Sequence, residues 1–105
     1  MMELNENGYR ELLAGEKPVL VEFHAPWCVY CRRIGPALKK VAEQHRERLT
    51  VGLVNIDDSP ELARSEGIEV VPTLVLYHKG EALGSIVAPE SRARIEEFIE
   101  DFLGS

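Results

Sequence analysis

KPVLVEFHAPWCVYCRRIGPALKKVAEQHRE, residues 17–47, decides how this chain is read. In its first part, residues 17–25, apolar residues occupy both alternating sets, as in a central strand covered on both faces. From Cys28 to about residue 47 the apolar positions Ile34, Leu38, Val41 and Ala42 recur at helical spacing. Pro36 falls inside that helix and is expected to kink it, because its ring clashes with the carbonyl of Arg32. APWCVYC, residues 25–31, therefore sits where a strand ends and a helix begins.

The chain has two cysteines, Cys28 and Cys31. A disulfide scaffold would spread more of them along so short a chain. A structural zinc site normally takes four ligands. Of the three histidines only His24 is near in sequence, since His45 and His78 lie far off. A redox pair is the leading reading, with inert buried thiols or half a metal site as the alternatives. The placement favours redox chemistry. A helix start offers free N–H groups and partial positive charge, which stabilise a thiolate. Cys28 at that start would be the nucleophile, its pKa drawn from about 8.5 towards the range of about 3.5–7.5. Cys31, one helical turn on, is close enough for the Cα separation of about 5.5 Å that a disulfide needs. Cys28 can open a partner's disulfide and Cys31 can resolve the mixed disulfide, leaving a Cys28–Cys31 bridge.

Outward from this stretch the elements follow with short breaks. Residues 5–14 form a helix with Tyr9, Leu12 and Leu13 on one face, and Gly15 stops it. LTVGLVNID, 49–57, is a second strand. Ser59 caps a short helix with Pro60 in its first position, ending at Gly67. TLVLYH, 73–78, is a third strand, Lys79-Gly80 a turn, and 81–87 an antiparallel return. Ser91 caps a last helix with Ile95, Phe98, Ile99 and Phe102 on one face. Arg92 and Arg94 start that helix and Glu100-Asp101 end it, against its dipole, so packing must hold it. The order α-β-α-β-α-β-β-α gives an α/β fold with helices on both faces of a mixed sheet, in one domain of residues 1–105.

A net charge of −6 argues against a nucleic-acid partner, which needs clustered Lys and Arg. Glu22 and Pro72 interrupt the apolar runs, so no membrane span is expected. MMELNENGYRELL lacks the basic and apolar regions of a secretory signal, so a cytoplasmic protein is expected unless a signal was removed.

FHAPWCVYC, Pro36, VNID at 54–57 and VVPT at 70–73 closely resemble the thioredoxin family, over about residues 5–103 in the same element order. The resemblance implies the thioredoxin fold, with a mixed sheet of four strands, or five if the family's first edge strand survives ahead of the first helix. It implies a protein-disulfide reductase acting by dithiol–disulfide exchange, a thioredoxin-reductase-like electron donor, and disulfide-containing protein substrates. It implies no metal and no cofactor beyond the Cys28–Cys31 disulfide, and a monomer. In the family the W-C-x-x-C segment is catalytic, and the proline matching Pro72 is cis and lies against the cysteines. That would expose the backbone of Val71 as a docking edge; an ordinary strand-start proline is the alternative. Trp27, Val71 and Ala88 would form a small apolar docking face. For Trp27 a half-buried core indole is nearly as well supported.

Glu22 shares its strand face with Leu20. It resembles the family's buried acid, usually Asp, which exchanges a proton with the second cysteine. A carboxylate whose stem snorkels to water is the competing reading. The family often pairs this acid with a lysine at the position of Leu53. Its absence here should leave Glu22 with a higher pKa. Val29-Tyr30 stands where typical thioredoxins have Gly-Pro. Losing proline frees the N–H of Tyr30 for a bond, such as one to the Cys28 sulfur, which would make the pair less reducing. His24 replaces a common aromatic and either tunes titration near the thiolate or packs as an ordinary ring. Two rivals to the reductase are a redox-inactive binding module using the Val71 face and a dedicated oxidase or isomerase.

Overall fold

The computed structural model describes residues 1–104. Its elements in chain order are β1 (Met2–Glu3), α1 (Glu6–Ala14), β2 (Val19–His24), α2 (Val29–Gln44), β3 (Thr50–Asn55), α3 (Pro60–Ser65), β4 (Thr73–His78), β5 (Glu81–Val87) and α4 (Arg92–Leu103). They build a five-stranded sheet in the order β1-β3-β2-β4-β5. β1, β3 and β2 run parallel, and β4 and β5 antiparallel to their neighbours.

The period of two along β2 splits its side chains between two cores. Leu20 packs with Ile34, Leu38 and Val41 of α2 and with Ile95, Phe98 and Ile99 of α4. Val19, Val21 and Phe23 pack on the other face with Tyr9 and Leu13 of α1 and Leu62 of α3. A strand buried on both sides reads as a continuous apolar run, which is what residues 19–23 show apart from Glu22.

The first edge strand is reduced rather than lost. β1 has two residues, both exposed, and offers no hydrophobic alternation to read. It is held by the residue after it: the Leu4 N–H donates to the Leu53 carbonyl at 2.7 Å. Leu4 is buried, and its side chain fills the space a Cβ on Gly52 would need.

α2 runs through Pro36 as one helix. The two-residue loop Lys79-Gly80 has φ of 55° and 81°, the doubly left-handed turn that suits hairpin twist. One expectation is corrected. Ser59 stands at the N-cap of α3, but its side chain makes no capping bond. Phe102 packs edge-on against Phe98, ring centroids 5.3 Å apart, as their shared face requires, and its 45% exposed ring extends that face over Gly84 of β5. Three of the four charges of α4 that oppose its dipole are paired, Arg92 with Glu96, Arg94 with Glu97, and Glu100 with Arg48.

Candidate active site

The chain leaves β2 at His24 and enters α2 at Val29, and the turn between them sets both cysteines at the helix start. Cys28 is the N-cap residue, with extended backbone angles, and its Sγ accepts the Cys31 N–H at 3.1 Å. A helix start leaves such donors unsatisfied, and here the sulfur takes the place of a capping oxygen. Cys28 and Cys31 are disulfide-bonded, their Cα atoms 5.3 Å apart. Both are buried with Ala25, against Tyr30, Ile56 and Val71.

The bond that Cys28 accepts corrects one expectation. It comes from Cys31, not from Tyr30. A Gly-Pro dipeptide would supply the same Cys31 N–H, so this bond of the bridged form is not peculiar to Val29-Tyr30. Tyr30 acts through its side chain, donating its hydroxyl to the Pro89 carbonyl at 2.9 Å. Val29 is exposed.

Val71–Pro72 is a cis peptide. The Val71 carbonyl oxygen lies 3.8 Å from Cys28 Sγ. Among the described residues neither the N–H nor the C=O of Val71 has a backbone partner, so this edge is open for pairing. Ala88 is exposed beside it, at a φ of 44°, and its N–H donates to the Pro72 carbonyl at 2.8 Å. Trp27 is 64% exposed, which removes the reading of a core indole. It borders a groove of about 280 Å³ with Ile56, Ile68, Val70 and Val71. Its indole N–H points to the Asp57 carboxylate at 3.4 Å.

On the other side of the disulfide a cavity of about 290 Å³ brings together Glu22, His24, Cys31, Arg32 and Leu53. Glu22 is 4% exposed, and Oε2 has no hydrogen-bond partner. The carboxylate therefore does not snorkel. Burial, and then the charge of Glu3, push its pKa from an ordinary 4.5 up to about 7. Leu53 pairs with both Glu22 and Glu3, so an apolar residue separates two acids in one row across the sheet. His24 Nε2 meets Glu3 Oε1 at 2.6 Å, tying β1 to β2. Arg32, at the edge of this cavity, donates to the Pro26 carbonyl at 2.8 Å.

Two residues of this site escaped the sequence reading, Glu3 and Asp57. Glu3 reaches Glu22 only through the register of three strands, and a two-residue strand carries no periodic signal. Asp57 lay at the end of a recognised strand, where nothing pointed to the indole.

The thioredoxin family model matches residues 1–101. A thioredoxin of Alicyclobacillus acidocaldarius subsp. acidocaldarius is 34% identical over 102 residues, covering 97% of this chain and 97% of that protein. A bifunctional thioredoxin reductase/thioredoxin of Mycobacterium leprae is 33% identical over 93 residues, covering 89% of this chain and 20% of that longer protein. Among solved structures, a single-site mutant of a thioredoxin from Halobacterium salinarum NRC-1 superposes with a TM-score of 0.87 at 26% identity, covering 97% of this chain and 88% of that one.

Proposed function

The chain belongs to the thioredoxin family, and from that premise we propose that it reduces protein disulfides, with Cys28 attacking and Cys31 resolving. Its reaction class is thiol–disulfide exchange. The observation that carries the proposed roles is the asymmetry of the pair. Cys28 caps the helix, accepts an N–H and faces the open Val71 edge, whereas Cys31 lies one turn inward on the Glu22 cavity.

A substrate segment pairs with the Val71 backbone and brings its disulfide to Cys28. The Cys28 thiolate attacks one sulfur; the substrate S–S bond breaks, a mixed disulfide forms, and the leaving thiolate takes a proton. Cys31 loses its proton to Glu22 and attacks the Cys28 sulfur. The second substrate thiolate leaves and is protonated, and the Cys28–Cys31 bridge remains. Two electrons pass to the substrate, and the two protons its thiolates take up from solvent balance those given up by Cys28 on ionising and by Cys31 through Glu22. Pro72 holds Val71 against Cys28, and Trp27 and Ala88 flank the docking edge. A carboxyl group with a pKa near 7 suits the proton step, since a base works best near the operating pH. The bridge is then reduced by a dithiol donor of the thioredoxin-reductase kind; the joining of both activities in the mycobacterial relative's name supports that partner. Among the described residues no helix is long and apolar enough to cross a membrane. A cytoplasmic, monomeric protein acting as one domain without a further cofactor fits this reading.

Insulin reduction by dithiothreitol tests it. The protein should accelerate precipitation of the freed chains, Cys28→Ser should not, and Cys31→Ser should accumulate mixed disulfides. A Cys28→Ser variant as active as the parent would reject the assignment.

A further inference from the structure

We infer that the groove beside Cys28 selects disulfide substrates carrying a lysine or arginine next to the attacked cysteine, with Glu69 and Asp57 as the selecting residues. This rests on the exchange reaction proposed above and names its substrate class. The walls of the groove are apolar, made by Trp27, Ile56, Ile68, Val70 and Val71, and its volume of about 280 Å³ suits one side chain. Its rim is acidic. Glu69 is exposed and lines it directly. Asp57, also exposed, lies outside the lining but beside it, its carboxylate 3.4 Å from the indole N–H of Trp27, which does line the groove.

Among the described residues no lysine or arginine lines this groove. Of the two cations after the cysteine pair, Arg32 is drawn to the Pro26 carbonyl on the side of the Glu22 cavity, and Arg33, exposed on α2, does not line the groove. Arg64 of the neighbouring helix is paired with Glu61. Glu66 is engaged by the Tyr77 hydroxyl and lies outside the groove lining. A segment paired along Val71 therefore lays a flanking side chain into a slot that is apolar along its length and anionic at its mouth. Lysine and arginine match both parts, with an aliphatic stem and a charged head that stays in water. Glutamate matches neither. Because the acids are at the rim, the effect acts mainly on association and is screened by salt.

The probes are two otherwise neutral, blocked peptides with a single cysteine next to Lys or Glu, each supplied as its symmetrical disulfide dimer. In each event the pre-reduced protein breaks the peptide S–S bond, forms the Cys28–Cys31 bridge and releases two peptide thiols, which chromatography counts. At low ionic strength the Lys dimer should react about three- to tenfold faster, the range expected from two exposed charge pairs. The ratio should shrink towards one at about 0.5 M salt. Glu69→Lys should abolish or invert the preference. Glu11→Lys makes the same change in net charge at an exposed site on α1 and should leave the preference intact. Equal rates for the two peptides would overturn the inference, as would a Glu11→Lys effect as large as that of Glu69→Lys. If neither dimer reacted faster than with Cys28→Ser, the exchange reading itself would fail.

Discussion

Glu22 on β2 lies between β3 and β4, and its partner on β4 is the uncharged Leu74. From β3 it receives Leu53, which offers no charge either, and beyond Leu53 stands Glu3, of the same sign as Glu22. This arrangement predicts how the carboxyl group responds to substitution. Leu53→Lys would set an ammonium group beside the carboxylate and should lower the Glu22 pKa by at least about one unit. Glu3→Gln removes the secondary cause of the shift and should lower it by less, since burial is the larger cause. Carbon-detected NMR titration of the Glu22 carboxyl reads both; an unchanged midpoint in Leu53→Lys would show that burial alone sets it. The inward position of Glu22 was legible from its parity with Leu20. Its freedom from water was not, because a glutamate stem is long enough to escape a half-open site, and only the packed cavity shows that it does not.

Among the elements, two serines looked equivalent in sequence and differ in the fold. Ser91 has extended backbone angles at the start of α4, and its Oγ accepts the Arg94 N–H at 3.1 Å. Ser59 has a φ of −129° and a ψ of 60°, and its side chain makes no such bond. Ser91→Ala should therefore cost about 1 kcal/mol, whereas Ser59→Ala should stay within about 0.5 kcal/mol. Urea unfolding of the two variants measures the difference, and equal losses would contradict the capping geometry. Residue type marked both helix starts correctly, but the capping bond depends on backbone angles that the preceding loop imposes. The same distinction runs through the fold. β2 and β4 announced themselves because each is long and apolar. The hairpin did so because Lys79-Gly80 suits its turn. β1 did not, because two residues carry no periodicity and its anchoring depends on Gly52 leaving room for Leu4.

For the molecule as a whole, the buried acid opposes stability in a defined pH window. Unfolded, Glu22 ionises near its ordinary value of 4.5; folded, it holds its proton to about 7. Below about pH 4.5 the group is protonated in both states and adds no penalty. As the pH rises towards 7 the unfolded chain ionises first, so stability falls. Above about 7 both states are ionised and the folded state bears the full difference, on the order of 3 kcal/mol at about 1.4 kcal/mol per unit. Glu22→Gln keeps the shape and removes the charge. It should be more stable than the parent at pH 8 by up to about 3 kcal/mol, with the advantage fading towards pH 4.5. The other acids titrate in both proteins and largely cancel in the comparison, so urea unfolding of the bridged forms at pH 4.5, 6 and 8 isolates the one group. A difference that did not change with pH would mean that the ionised carboxylate is no burden to the fold. A difference that grew as expected, together with slower resolution of mixed disulfides in the same variant, would tie the instability to the proton that Cys31 must lose. Groups with displaced pKa values cluster where proton transfer is needed, and Glu22 lines one cavity with Cys31.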